Sequence, residues 1–202
     1  SAEQLRAEID STILHNGGLA SGTICAPGVQ GADPHQRGSG PIAANVPIVL
    51  DIFPRHTASG YYGDLTRTLV KGKAADSVWQ AFEAVQEAQK KALQSLKAGI
   101  SGKEVHELVE YCFAKHGFET LTEGVDKPRG FFHSTGHGLG LEVHELPSLS
   151  RRQVEPLQSG QVVTVEPGLY YPEWGGVRLE DVAVVCEKGH RNLTKAAIYL
   201  EI

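Results

Sequence analysis

Apolar positions along the chain change period several times. Leu5, Ile9 and Ile13 share one face of a helix over residues 2–15, which has no clear capping residue at its start and ends at Gly17, Gly18 and Gly22. A short strand-like run, 23–28, precedes a Gly- and Pro-rich stretch that reads as loop, and loops of such length commonly carry function. Residues 48–56 and 61–70 are β-rich and separated by Thr-Ala-Ser-Gly, a hairpin signal. After Gly72 the period becomes helical, with Val78, Phe82, Val85, Leu93 and Leu96 on one face. Ser101 followed by Glu104 is a capping box opening a second such helix, with Val105, Leu108, Val109, Cys112 and Phe113 inward and Gly117 as C-cap. Strand patterns return at 161–171 and 176–185, around the turn Pro-Glu-Trp-Gly.

Hairpin, two helices, hairpin is the order of an α+β domain, with helices packed on one face of a curved antiparallel sheet. The two hairpins look like counterparts, although no sequence repeat links them. At 202 residues the chain can bury one sizeable core. Hydrophobic residues at 41% and charged residues at 21% are ordinary globular usage, which excludes a disordered or low-complexity chain. A net charge of −5 offers no bulk attraction for nucleic acid. No apolar run is long enough for a bilayer and no signal-peptide pattern is visible, so no membrane partner is expected. Cys25, Cys112 and Cys186 have no paired spacing, which fits reduced thiols in the cytoplasm. The sequence contains no Met, and the expectation is a piece of a longer or processed protein.

The acids change the picture. A hairpin centred between Thr57 and Ala58 sets Asp51 directly opposite Asp64, and one centred on Glu173 sets Glu166 opposite Glu180. Opposed residues share a face with Cβ atoms about 4.5–5.5 Å apart. Like charges so placed repel unless a cation lies between them or protons neutralise them. Each acid taken singly reads as a solvated strand residue, and Arg178 beside Glu180 as an ordinary salt bridge. The joint pattern points to protonation or to metal. Hard oxygen ligands favour Mg, Mn or Ca, and an added imidazole moves the preference towards Mn, Fe, Co or Zn. His133, His137 and His144 supply imidazoles, in a run where Gly136, Gly138 and Gly140 allow close backbone approach and disfavour a helix. Four carboxylates and one histidine can hold two divalent ions that share a hydroxide. His15, His56, His106, His116 and His190 have no partner pattern and default to solvated positions; Trp79 reads as packing and Trp174 as a hairpin tip.

The runs at 51–68, 133–145 and 164–185 resemble the pita-bread metallopeptidases, in the branch of Xaa-Pro aminopeptidases and prolidases. The resemblance extends from about Thr23 to the end of the chain. The short gap between Glu166 and Glu180 suits that branch better than methionine aminopeptidases. It implies the pita-bread fold and two divalent ions, Mn first, with Co, Zn or Fe as alternatives. It also implies Asp51, Asp64, His137, Glu166 and Glu180 as ligands, Asp64 and Glu180 bridging, Asp51 on one ion, His137 and Glu166 on the other. All five are present, which argues against members of the family that lost the metal.

The activity implied is hydrolysis of the Xaa-Pro bond at a peptide's N-terminus by a metal-bridging hydroxide. Glu166 would be the proton shuttle, and His144 and His35 would assist catalysis and bind substrate together with His133 and Arg178. An Xaa-Pro dipeptidase and a non-catalytic peptide-binding module of the same fold are the alternatives. The family usually carries an N-terminal domain and a further opening helix; both are expected to be missing from this single catalytic domain of residues 1–202. A homodimer is expected for the full-length protein.

Overall fold

The computed structural model describes residues 1–120 and 128–202. Helix α1, Ala2–His15, has a start the hydrophobic pattern did not reveal. Ser1 and Gln4 close a reciprocal capping box there, satisfying otherwise orphaned N–H groups. The helix is lightly anchored. Leu5, Ile9 and Ile13 are only half-buried, and the first turn of α1, through Ala2 and Leu5, packs beside Cys25 and Ile48 in a small cluster.

The strands that follow α1 are β1 (Gly18–Leu19), β2 (Ile24–Pro27), β3 (Pro47–Ile52), β4 (Arg55–His56) and β5 (Leu65–Val70). A short 3-10 turn, Gly28–Ala32, opens the long loop after β2. Strands β2, β3 and β5 form a three-stranded antiparallel sheet, while β1 pairs with β4. Its register corrects the sequence reading. Asp51 lies opposite Thr66, two residues beyond Asp64, and Asp64 sits just before β5. The β4 turn consumes the difference. The shift is even, so Asp51 and Asp64 keep the same face.

Helices α2 (Asp76–Ser95) and α3 (Gly102–Lys115) then cover the second half. The Ser101–Glu104 capping box is present, and Gly117 takes the left-handed conformation (φ +78°) just past the end of α3. Ala81, Ala84, Ala88 and Ala92 are fully buried on α2, and such small side chains let the helix axis lie close to its neighbours. The remaining strands are β6 (Gly136–Gly138), β7 (Glu145–Leu149), β8 (Val162–Val165), β9 (Gly168–Tyr171), β10 (Gly175–Arg178), β11 (Asp181–Cys186) and β12 (Gly189–Asn192). Five of them form an antiparallel sheet in the order β12-β11-β8-β6-β7, and β9 pairs with β10.

The main core lies between this sheet and the helices, with Phe82, Val85, Val109 and Phe113 packed in one cluster with Val163, Val165 and Ala183. Phe113 meets Phe131 edge-on at 5.2 Å. Trp174 belongs to this packing rather than to an exposed tip, stacked on Tyr171 at 5.3 Å. Trp79 packs edge-on against Phe82 and donates to Glu201. His106 is buried, not solvated, and shares a 2.9 Å hydrogen bond with Thr135 Oγ1.

Two threonines join the sheets. Thr68 Oγ1 accepts from the Arg178 N–H and donates to the Arg178 carbonyl, while the Glu180 N–H donates to the Thr66 carbonyl at 3.0 Å. This seam brings the first hairpin against the second, and all four acids meet there.

Candidate metal centre

In the second hairpin, β9–β10 and β8–β11 keep one common register on either side of a gap. Glu166 and Glu180 occupy that gap opposite each other, as the sequence predicts. Neither is tied up in a ladder bond to the other. The Glu166 N–H donates to the Thr135 carbonyl, and the Glu180 N–H to Thr66. Their carboxylates therefore point at a common space while their backbones are held from outside.

His137 arrives on β6 between β7 and β8. The flanking glycines make that position possible. A Cβ at Gly136 would fall 2.0 Å from the Thr164 carbonyl oxygen, and one at Gly138 2.6 Å from that of Leu146. The His137 Nδ1 lies 3.0 Å from the Gly138 carbonyl, which can only accept, so the proton is on Nδ1. Nε2 then turns its lone pair towards Glu166 Oε1 at 3.4 Å and Asp64 Oδ2 at 3.8 Å. Burial pushes the His137 pKa down, so the ring is neutral. A lone pair facing two carboxylates is repulsive without a cation or protons.

The acids tell the same story. Ligand atoms of Asp64, His137 and Glu180 lie within 4.8 Å of one another. Burial raises the Glu180 carboxyl well above its ordinary value, and the charges of Asp64 and Glu166 add to this. Burial, with repulsion from Asp51, lifts Asp64 to about 7. Glu166 rises to about 8, again chiefly by burial, although Arg178 opposes the rise. Among the described residues, Asp51 Oδ1 is buried with no hydrogen-bond partner. An orphaned carboxylate oxygen, a neutral imidazole lone pair and three carboxyls pushed upward form a donor set that fits divalent cations.

Arg178 does not pair with Glu180, which corrects the simple salt-bridge reading. Its Nη2 donates to Asp51 Oδ2 at 2.8 Å and its Nη1 to Tyr170 Oη at 2.8 Å. Glu180 Oε2 instead accepts from Thr66 Oγ1 at 2.7 Å. Tyr170 Oη lies 2.9 Å from His133 Nε2, and His133 Nδ1 lies 2.7 Å from the Ser134 carbonyl. That fixes the proton on His133 Nδ1, so the tyrosine hydroxyl donates to Nε2. Burial, reinforced by Arg178, holds His133 down at about 3. His133 lines the cleft with both ring nitrogens engaged by protein.

His35 and His144 also line this cleft, which has a volume of about 690 Å³. The long loop brings His35 in: the Pro34 carbonyl lies 3.4 Å from Arg178 Nη2, and the His35 N–H donates to Asp33 Oδ1. His144 lies in the loop between β6 and β7, its ring edge-on to His137 at 4.4 Å. Every residue expected at the site therefore lines one cavity.

The sequence reading missed Tyr170 and Thr66. A signal for Tyr170 exists: it shares a strand face with Glu166, and glycines stand where larger residues would crowd it. A Cβ at Gly168 would lie 2.4 Å from Tyr170 Oη, and one at Gly176 2.9 Å from its ring.

With that geometry in view, the chain matches metallopeptidase family M24 over residues 1–187. The chain belongs to this family. It is 36% identical over 195 residues to an Xaa-Pro dipeptidase of Pyrococcus horikoshii, covering 95% of this chain and 52% of that protein. It superposes on the Xaa-Pro dipeptidase from Bacillus anthracis with a TM-score of 0.92 at 33% identity, covering 100% of this chain and 55% of that one. Against the X-Pro aminopeptidase from Thermotoga maritima the TM-score is 0.91 at 32% identity, again covering 100% and 55%. The M24 chain thus has the pita-bread fold, α+β as expected, and its family membership implies divalent metal ions. It spans about half the length of the curated relatives it matches. Among the described residues, no helix is long and apolar enough to cross a membrane.

Proposed function

We propose that residues 1–202 form one catalytic domain that hydrolyses Xaa-Pro bonds at the N-terminus of peptides, with two divalent ions, manganese first among them. The observation that carries this is the His137 lone pair directed at Glu166 and Asp64 beside the orphaned Asp51 oxygen. Asp51, Asp64, His137, Glu166 and Glu180 would hold the ions. When bound, such ions supply a water acidic enough to act as nucleophile at neutral pH and polarise the scissile carbonyl.

The chain's own residues do the rest. Glu166 takes the proton released from the attacking water and returns it to the leaving proline nitrogen. His144 and His35 line the cleft from two separate loops, where each can donate to a substrate carbonyl oxygen as negative charge develops on it. Arg178, fixed by Asp51 and Tyr170, holds the ligand carboxylate and the His35 loop in place. An Xaa-Pro bond has no N–H, so histidine donors on the carbonyl side suit a substrate that lacks the usual backbone donor. Three free cysteines support a reducing compartment, the cytoplasm, and the full-length protein is proposed as a homodimer.

The test is turnover of an Xaa-Pro dipeptide and an Xaa-Pro tripeptide by the manganese-loaded protein. Cleavage of the tripeptide is expected; cleavage of the dipeptide alone would assign a dipeptidase instead. Glu166→Gln should abolish turnover while retaining metal, and substantial residual turnover would overturn the role given to Glu166.

A further inference from the structure

A second set of ligand atoms lies outside the cleft, where helices α2 and α3 face each other. Cys112 and His116 stand one turn apart at the end of α3, and Glu87 faces them from α2. None of the three lines the cleft. A sulfur, a ring nitrogen and a carboxylate oxygen from these residues lie within 4.8 Å of one another. His116 Nδ1 donates to the Cys112 carbonyl at 2.9 Å, which orients the ring. Its Nε2 then lies 3.1 Å from Glu87 Oε2, and so short a separation requires a proton or a cation between the two atoms. Around tetrahedral zinc, the ligand–ligand edges are about 3.3–3.6 Å for nitrogen, oxygen and sulfur donors. The His116–Glu87 pair already stands near that spacing, and side-chain rotation can bring in the sulfur.

We propose that Glu87, Cys112 and His116 form a three-ligand site for zinc or a similar thiolate-preferring divalent ion, pinning α2 to α3, with water in the fourth position. Binding replaces the Cys112 thiol proton and the proton between His116 Nε2 and Glu87, both of which leave to solvent, and the ion takes the Nε2 lone pair so freed. Lys91 is the neighbour that opposes the ion. Its ammonium pairs with the other Glu87 oxygen and lies 3.9 Å from Cys112 Sγ, and Lys115 also acts on Glu87. Lys91 keeps its contact with Glu87 Oε1 when the ion takes Oε2 and swings away from the sulfur. A thiolate distinguishes this site from the cleft, whose five candidate ligands contain no sulfur.

That difference supplies the test. Titrating the metal-free chain with Co²⁺ should produce a near-ultraviolet thiolate-to-cobalt charge-transfer band that saturates at one ion per chain and is bleached by Zn²⁺. Cys112→Ser should lose the band. His116→Ala, at an exposed position that does not threaten the fold, should lose or sharply weaken it. Asp64→Asn, in the cleft, should keep it, and Lys91→Ala should bring it in at lower Co²⁺. Absence of a band at excess Co²⁺ would show an ion-pair network only and overturn the site. A band that survives in Cys112→Ser would place the thiolate at Cys25 or Cys186 and overturn it too.

Discussion

Tyr170→Phe removes one oxygen and leaves the ring in a slot that Gly168 and Gly176 keep open. That oxygen accepts from Arg178 Nη1 at 2.8 Å and lies 2.9 Å from His133 Nε2. Arg178 is only 2% exposed, so water cannot replace the lost acceptor. An unsatisfied buried donor costs about 1–3 kcal/mol, and more when it is charged. The His133 lone pair loses its donor as well. The sum points to a loss of about 2–4 kcal/mol. For a chain of this size each kcal/mol lowers Tm by about 2–4 °C. Urea unfolding of the metal-free protein, wild type and variant, measures the difference, and an unchanged slope would confirm that the same surface is exposed. A loss below about 0.5 kcal/mol would refute the reasoning, because an isolated exposed bond loses no more. It would mean that Arg178 is held by Asp51 and Thr66 alone.

Two further outcomes follow from the same structure. Phe113→Ala, at a fully buried position against Phe131, should cost about 3–5 kcal/mol in the same unfolding assay. Glu201 is held down at about 2, chiefly by Lys73 and then by the Ala74 N–H. Its unfolded value is near 4.5, so its stabilising effect is present above that pH and fades as pH falls towards 2. Glu201→Gln should therefore lower Tm at pH 7 and lose its difference from wild type near pH 2. A difference that persists there would contradict the assignment.

The sequence carried the second hairpin further than the first, for a physical reason. The turn at Pro172–Gly175 is compact and centred on Glu173, so counting from it places Glu166 opposite Glu180 correctly. The connection between β3 and β5 contains β4, which pairs with the distant β1, and an irregular stretch before Asp64, and no local signal reports how many residues that takes up. Only parity survived, which was enough to keep Asp51 and Asp64 on one face. His137 was legible because its glycines announce a backbone pressed between two strands. Arg178 was expected at the site, but its partners Asp51 and Tyr170 were not legible, since they come from separate strands and adjacency made Glu180 the natural choice. His106 escaped for a related reason. Its partner Thr135 lies 29 residues on, and a histidine between Val105 and Glu107 on a helix gives no hint of it.

The central claim is that Asp51, Asp64, His137, Glu166 and Glu180 hold divalent ions. Without metal, Asp64 and Glu166 rise to about 7 and about 8, so the cluster carries protons at neutral pH. Incoming cations must displace them. The direct measurement is a Mn²⁺ titration of the chelator-stripped chain at pH 7 in weak buffer, recording ions bound and protons released together. Two ions per chain, with protons released as they bind, is the predicted result. No stoichiometric uptake, or uptake without proton release, would contradict it.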